Sequence, residues 1–139
     1  MIRFFAPGTP APGGSKKAIP LRNGRAAIVD MGGQRNKDWR VVVALAGCEA
    51  MLGKNLLAVP LAVRFEFSVQ RPKGHLDKHG KPRKSAPVWP AKRPDVLKLS
   101  RSTEDALTGI VWVDDSLIVD EMITKQYGTP GCWITVEEL

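Results

Sequence analysis

The chain lacks long apolar runs and has few cysteines, and these absences exclude several classes of protein. No stretch of about 18 consecutive apolar residues occurs, so no transmembrane helix is expected. The apolar patch at the N-terminus is soon interrupted by proline and glycine and is too short for a secretory signal. The two cysteines, Cys48 and Cys132, form neither a disulfide framework nor a metal-binding spacing. We therefore expect a cytoplasmic protein without a membrane partner, in which Cys48 is a buried thiol.

Motifs for common cofactors are absent as well. The Gly- and Pro-rich stretch 7–14 leads into Lys16 and Lys17, but it lacks the spacing of a phosphate-binding P-loop. His75 and His79 are four residues apart, but glycines beside them disfavour a helix that would present both to a metal ion. We therefore expect no small-molecule substrate and no histidine-bound metal.

Positive charge is concentrated in one segment of the chain. The chain has 21 basic and 14 acidic residues, a net charge of +7, and segment 71–93 alone holds eight basic residues and one acid. A neutral body with one basic segment is typical of proteins that bind a polyanion, although a solvated loop that keeps the protein soluble has the same composition. The basic residues predicted to contact nucleic acid in this segment are Arg71, Lys73, Lys78, Lys81, Arg83, Lys84, Lys92 and Arg93.

Hydrophobic periodicity predicts a mixed α/β (α+β) fold with a small mixed β-sheet and two main helices. The length fits one domain over residues 1–139. Apolar residues at helical spacing predict helices over 34–52 and 96–108, and strict alternation over 61–69 predicts a strand with one buried face. The segment 70–94 has no periodicity and is expected to form a long basic loop. Shorter strands are predicted over 2–5, 26–30, 110–113, 117–125 and 131–136.

Acidic residues flank the segment that contains the second predicted helix and the strand after it. Asp95 precedes the helix, and Asp114 and Asp115 come after the strand. Carboxylate oxygens suit Mg²⁺, which can activate water and neutralise charge during phosphodiester hydrolysis, and Arg101 is a candidate to hold the phosphate. Each residue also has a purely structural explanation: Asp95 as a helix cap, the paired acids as a turn, and Arg101 with Asp105 as an exposed ion pair.

The segment from 94 to 119 resembles the signature of the RusA family of Holliday-junction resolvases, which are common in phages and prophages. Members carry Asp-x-Asp at a helix start, a Lys or Arg four residues later, an Asp-Ala-Leu and a paired Asp. Asp95 matches the first acid, Arg101 the basic position, Asp105 the acid of Asp-Ala-Leu, and Asp115 the second of the paired acids. Outside this block the chain is similar to the family only in outline.

The resemblance implies a homodimeric, Mg²⁺-dependent endodeoxyribonuclease, with Mn²⁺ as a substitute metal. Such an enzyme resolves four-way DNA junctions by paired symmetric nicks and leaves 5′-phosphate ends. Asp95 and Asp115 would be the metal ligands, and Arg101 would steady the scissile phosphate. Further DNA contacts are expected from Trp89 within the basic segment and from Lys16, Lys17 and Lys98 outside it.

One position departs from the family pattern. Leu97 stands where the family has its second metal-binding Asp, so one carboxylate is lost unless another replaces it. Glu104 is a candidate because residues 97, 101 and 104 lie along one helical stripe; Asp105 and Asp114 are others. Two alternative hypotheses stay open. One is a junction-binding protein on the same fold with little or no activity, and the other is a basic structural protein whose acidic residues only cap a helix and form a turn.

Overall fold

The computed structural model describes residues 1–13, 16–30 and 33–139. Two 3₁₀ turns, Lys73–His75 and Asp115–Leu117, supplement the regular elements. The helices and strands, in chain order, are β1 (Ile2–Pro7), β2 (Lys16–Pro20), β3 (Ala26–Asp30), α1 (Gly33–Ala50), β4 (Leu61–Val69), α2 (Val96–Leu107), β5 (Ile118–Tyr127) and β6 (Gly131–Glu138).

The main sheet has four strands in the order β1-β6-β4-β5. β4 runs parallel to β5 and antiparallel to β6, so the sheet is mixed, as predicted. The alternation along β4 has the expected consequence, because Leu61, Val63, Phe65 and Phe67 are all buried on one face. β2 and β3 form a separate two-stranded antiparallel sheet.

Both helices belong to the hydrophobic core. In α1 the side chains of Trp39 and Val43 are buried, and in α2 those of Leu99 and Thr103 are, which agrees with the helical spacing in the sequence. The indole Nε1 of Trp39 donates a hydrogen bond to Oγ1 of Thr103 at 3.1 Å, which satisfies both polar groups inside the core. In the described part of the chain no helix is both long enough and apolar enough to cross a membrane.

Two of the local predictions are wrong. Segment 110–113 begins as a turn, closed by backbone bonds from Ile110 and Val111 to the oxygen of Leu107, and Trp112 forms an isolated parallel bridge with Leu57. Val111 and Trp112 are buried there without forming a strand, and Val113 is 48% exposed. Cys48 is exposed, because it lies on the side of α1 opposite the buried Trp39 and Val43. β2 was not predicted, since its short sequence follows a Gly- and Pro-rich stretch and itself ends in proline.

Candidate active site

The parallel pairing of β4 and β5 decides which side chains of β5 face α2. Glu121 pairs with Val63 and Lys125 pairs with Phe67. Both β4 partners are buried in the core, and paired residues of neighbouring strands point to the same face of a sheet. Glu121 and Lys125 therefore lie on the face of β5 that α2 approaches.

Glu104, in the last turns of α2, is the centre of an acidic cluster with Glu121, Asp115 and Asp105. The side chain of Glu104 is half-buried. Burial, a hydrogen bond with Glu121 and the negative charges of Glu121, Asp115 and Asp105 raise the pKa of Glu104 from 4.5 to about 8. At neutral pH this carboxyl group holds a proton that an isolated glutamate would have lost. Strongly perturbed carboxyl groups of this kind are concentrated at functional sites.

The donor chemistry of this cluster fits a divalent cation. Its members offer only carboxylate oxygens, the ligands that Mg²⁺ and Mn²⁺ prefer, and a cation would relieve the repulsion that now keeps Glu104 protonated. Among the residues that the structure describes, no three Asp, Glu, His or Cys side chains are already arranged as a metal site. Glu104, Asp115 and Glu121 would therefore have to reorient, and give up the proton on Glu104, to hold one ion together.

Asp114 and Asp115 have different surroundings although they are adjacent. The carboxylate of Asp114 accepts a hydrogen bond from the backbone N–H of Ser116 at 2.8 Å and caps the 3₁₀ turn. Hydrogen bonds from the side chain and backbone of Ser116 hold the pKa of Asp114 below its usual range. Asp115 is the one whose charge acts on Glu104. Asp114 thus shapes the turn that carries Asp115.

Asp95 lies at the other end of α2. Its Oδ1 accepts a hydrogen bond from the backbone N–H of Lys98 at 3.0 Å, so it is the N-cap of the helix. Glu104 comes nine residues later, which is about 13 Å further along the helix axis. The structure therefore brings Asp115 together with Glu104, one of the proposed replacement ligands, and leaves Asp95 in its capping role. That Asp95 and Asp115 share one ion stays a prediction.

The stripe formed by Leu97, Arg101 and Glu104 is as expected from helical spacing. Leu97 is 70% exposed and therefore has no packing role that would explain leucine at this position. Arg101 is exposed between Leu97 and the half-buried Glu104, and Lys98 is exposed beside it. The solvent-facing side of α2 thus presents basic side chains next to the acidic cluster.

Lys125 was not identified from the sequence. Its Nζ donates hydrogen bonds to the backbone oxygens of Lys92 at 2.7 Å and Pro94 at 2.8 Å. These two bonds attach the end of the basic loop and the start of α2 to β5. Glu121 was also missed, because the sequence of β5 does not alternate and only the pairing with β4 reveals which of its residues face α2.

The basic loop is fixed at its base and exposed beyond it. The guanidinium of Arg71 lies 4.3 Å from the ring centroid of Tyr127, and its Nη1 donates to the backbone oxygen of Pro87 at 2.7 Å. His75 packs edge-on against the same tyrosine ring. Trp89 is 65% exposed at the far side of the loop. The exposed basic residues of the loop are Lys73, Lys78, Lys81, Arg83, Lys84, Lys92 and Arg93.

Two of the predicted DNA contacts, Arg71 and Arg83, have guanidinium groups that already have structural partners. Arg83 also donates through Nε, to the backbone oxygen of Leu76 at 3.1 Å. Lys16 and Lys17 belong to β2, but their side chains lie outside the described part of the structure.

A mixed α/β domain that carries an acidic cluster, exposed basic side chains on the same helix and an exposed basic loop has the parts expected of a nuclease. The chain matches the family model described as Endodeoxyribonuclease RusA over residues 11–137, and it belongs to that family. A search of curated proteins found no match.

Proposed function

We propose that this protein is a structure-selective endodeoxyribonuclease that depends on Mg²⁺, or on Mn²⁺ in its place, and resolves four-way DNA junctions. Membership of the RusA family supports the endonuclease activity. The observation that carries the proposal is the cluster around Glu104, where burial together with the neighbouring Glu121, Asp115 and Asp105 raises the pKa of Glu104 to about 8. A metal ion would neutralise the crowded carboxylates, and a phosphate would neutralise the basic side chains beside them.

In this proposal Glu104, Asp115 and Glu121 hold the metal ion. A bound Mg²⁺ would supply an activated water and would neutralise charge on the phosphate as the bond breaks. Glu104, on the same stripe of α2, and Glu121, on β5, would replace the carboxylate that is lost at Leu97. Asp95 would join the ligands only by giving up its hydrogen bond to the backbone of Lys98.

The remaining side chains would position the DNA. Arg101 is exposed next to Glu104 on α2 and would hold the scissile phosphate. Lys98 and the exposed lysines and arginines of the basic loop would bind the phosphate backbone, which carries no sequence code, so junction shape would govern binding. Trp89 offers an exposed ring on which a base can stack.

Two copies of the chain would act together on one junction. A four-way junction has two-fold symmetry, so a C2 dimer would place one site on each of two opposed strands and produce paired symmetric nicks. Hydrolysis would leave 5′-phosphate and 3′-hydroxyl ends. Single nicks in place of paired ones would contradict this part of the proposal.

The test is cleavage of a synthetic four-way junction with Mg²⁺ or Mn²⁺ by the wild type and by Asp115→Asn. Asp120→Asn is a matched control, because Asp120 is exposed and its pairing with Ala62 places it on the opposite face of β5 from Glu121. We expect the wild type and the Asp120 variant to cut the junction and the Asp115 variant to bind it without cutting.

A second candidate function, junction binding without cleavage, is favoured by the exposed leucine at position 97. In that case the wild type would bind the junction tightly and leave it intact with either metal. Equal cleavage by the wild type and by Asp115→Asn would contradict both the metal assignment and the use of this acidic cluster.

A further inference from the structure

The β2–β3 hairpin is a basic projection separate from the loop at 70–94. Its two strands pair over five residues each, from Lys16 with Asp30 to Pro20 with Ala26, and form a sheet of their own. Residues 18–26 are exposed without interruption. These exposed residues gain little stability from packing within the chain, and they form a surface that is open to a partner.

The tip of the hairpin is well formed and carries two arginines. The backbone N–H of Leu21 donates to the oxygen of Arg25 at 2.7 Å, and Asn23 Oδ1 accepts from the N–H of Arg25 at 3.0 Å. The N–H of Gly24 also donates to the oxygen of Leu21, and Gly24 has φ +80°, the left-handed conformation that follows a type I turn in a three-residue hairpin loop. Arg22 and Arg25 are thereby held on either side of a rigid turn, and both side chains are exposed.

Charge distinguishes the hairpin from the body of the protein. Segment 16–30 contains four basic residues and one acid. Once this segment and segment 71–93 are set aside, the rest of the chain has nine basic and twelve acidic residues. The body is therefore slightly acidic, and the hairpin is a second, independent site of positive charge.

The hairpin emerges beside the helix that carries the candidate site. Gly13, just before the hairpin, donates its backbone N–H to the oxygen of Lys98 in α2 at 3.0 Å. A side chain at Gly13 would collide with Ser102, since an added Cβ would lie 2.9 Å from the Cβ of Ser102. Just after the hairpin, Asn36 accepts a buried hydrogen bond from Ser102. The segments that precede and follow the hairpin are thus both hydrogen-bonded to α2.

We infer that the β2–β3 hairpin binds a duplex arm of the DNA substrate, as a clamp distinct from the basic loop. A two-stranded ribbon fits the major groove of B-DNA, which is about 12 Å wide, and Arg22 and Arg25 would contact phosphates at its edges. DNA is favoured over another polyanion because the chain belongs to an endodeoxyribonuclease family and the segments that flank the hairpin bond to α2, the helix that carries Arg101. In this respect the inference rests on the proposed function.

The experiment compares Arg22→Gln/Arg25→Gln with the control Lys54→Gln/Arg64→Gln, which removes the same charge from two other exposed positions. Equilibrium binding to a four-way junction and to a linear duplex is measured over a KCl series, with Ca²⁺ replacing Mg²⁺. We expect the hairpin variant to bind both DNAs more weakly. The plot of log affinity against log salt should be less steep by about two, roughly one for each phosphate contact that is lost. Arg22→Lys/Arg25→Lys should restore most of the slope, and the control should change it little.

Identical slopes and affinities for the hairpin variant and the control would overturn the inference. Cleavage by the wild type separates this outcome from failure of the proposed function. If the wild type cuts junctions and the hairpin variant binds like the control, only the clamp is wrong. If the wild type cuts no junction but the hairpin variant loses duplex binding, the clamp stands and the proposed activity does not.

Discussion

The two ends of α2 both carry acidic residues, yet their surroundings differ. At the N-terminal end, Asp95 is exposed and satisfies a backbone N–H of the first helical turn. Near the C-terminal end, Glu104 is half-buried among Glu121, Asp115 and Asp105, and its pKa rises to about 8. A carboxylate that caps a helix stabilises the fold, whereas a carboxylate held against other carboxylates destabilises the free protein and creates a demand for a cation. The comparison therefore gives Asp95 a structural role as a helix cap, and it is the reason for our proposal that Glu104 binds the metal ion.

The largest expected effect is on cleavage. Glu104→Gln should reduce the rate of junction cleavage by at least about 100-fold, because a neutral amide replaces the carboxylate that would bind the metal ion. Asp95→Asn should reduce it far less, because asparagine caps a helix about as well as aspartate. Single-turnover cleavage of a synthetic junction with Mg²⁺ measures both. A larger loss from Asp95→Asn than from Glu104→Gln would reverse the assignment of the two ends.

The second prediction concerns stability against pH in the absence of metal. The pKa of Glu104 is 4.5 ordinarily and about 8 in the folded protein, so between these values the folded chain binds more protons than the unfolded chain. The contribution of Glu104 to stability is therefore fully present below pH 4.5. The free energy of unfolding falls as the pH rises from there toward about 8. Denaturant melts of the wild type and Glu104→Gln from pH 5 to pH 8 measure it.

In those melts Glu104→Gln should show a smaller loss of stability with rising pH than the wild type. Added Mn²⁺ should oppose the loss in the wild type, because the metal ion competes with the proton for the same carboxylates. Parallel pH profiles for the two proteins would show that Glu104 is not the group responsible.

The third prediction separates the capping role of Asp95 from a role in catalysis. Asp95→Ala should lower the free energy of unfolding by about 1 kcal/mol, and Asp95→Asn should leave it nearly unchanged. Thermal or urea unfolding at one pH is sufficient. Equal stability of the alanine variant and the wild type would remove the argument that Asp95 is occupied as a cap.

The smallest effect is expected at position 97. Leu97 is 70% exposed, so Leu97→Asp should fold normally and restore the acid that the family pattern has there. If Glu104 and Glu121 already supply the missing charge, cleavage with Mg²⁺ should change little. A large gain in cleavage would instead mean that the natural site is impaired.

The sequence predicted those parts of the fold that depend on local pattern. β3 and β4 were predicted at their observed bounds, and α2 to within one residue, since alternation, a capping Asp and an amphipathic stripe are all local signals. Segment 110–113 was mistaken for a strand because a buried turn and a buried strand share the same apolar, β-branched composition. The composition does not distinguish them; the backbone bonds from Ile110 and Val111 to Leu107, which close a turn, do.

The candidate site was predictable only in part. Glu104 was a candidate from its place on the stripe with residues 97 and 101, and Asp115 from the family signature. Glu121 was not, because its position depends on the parallel register between β4 and β5, two strands separated by α2 and the long basic loop. Lys125 bonds to two backbone oxygens, and no side-chain pattern in the sequence marks a backbone acceptor.

A crystal structure of the protein grown with Mn²⁺ would test the central claim most directly, because anomalous scattering locates the ion. We predict an ion bound by carboxylate oxygens of Glu104 and Asp115, with Glu121 beside them and Asp95 still bonded to the backbone of Lys98. An ion held by Asp95 and Asp115 with Glu104 outside its coordination sphere would contradict the account.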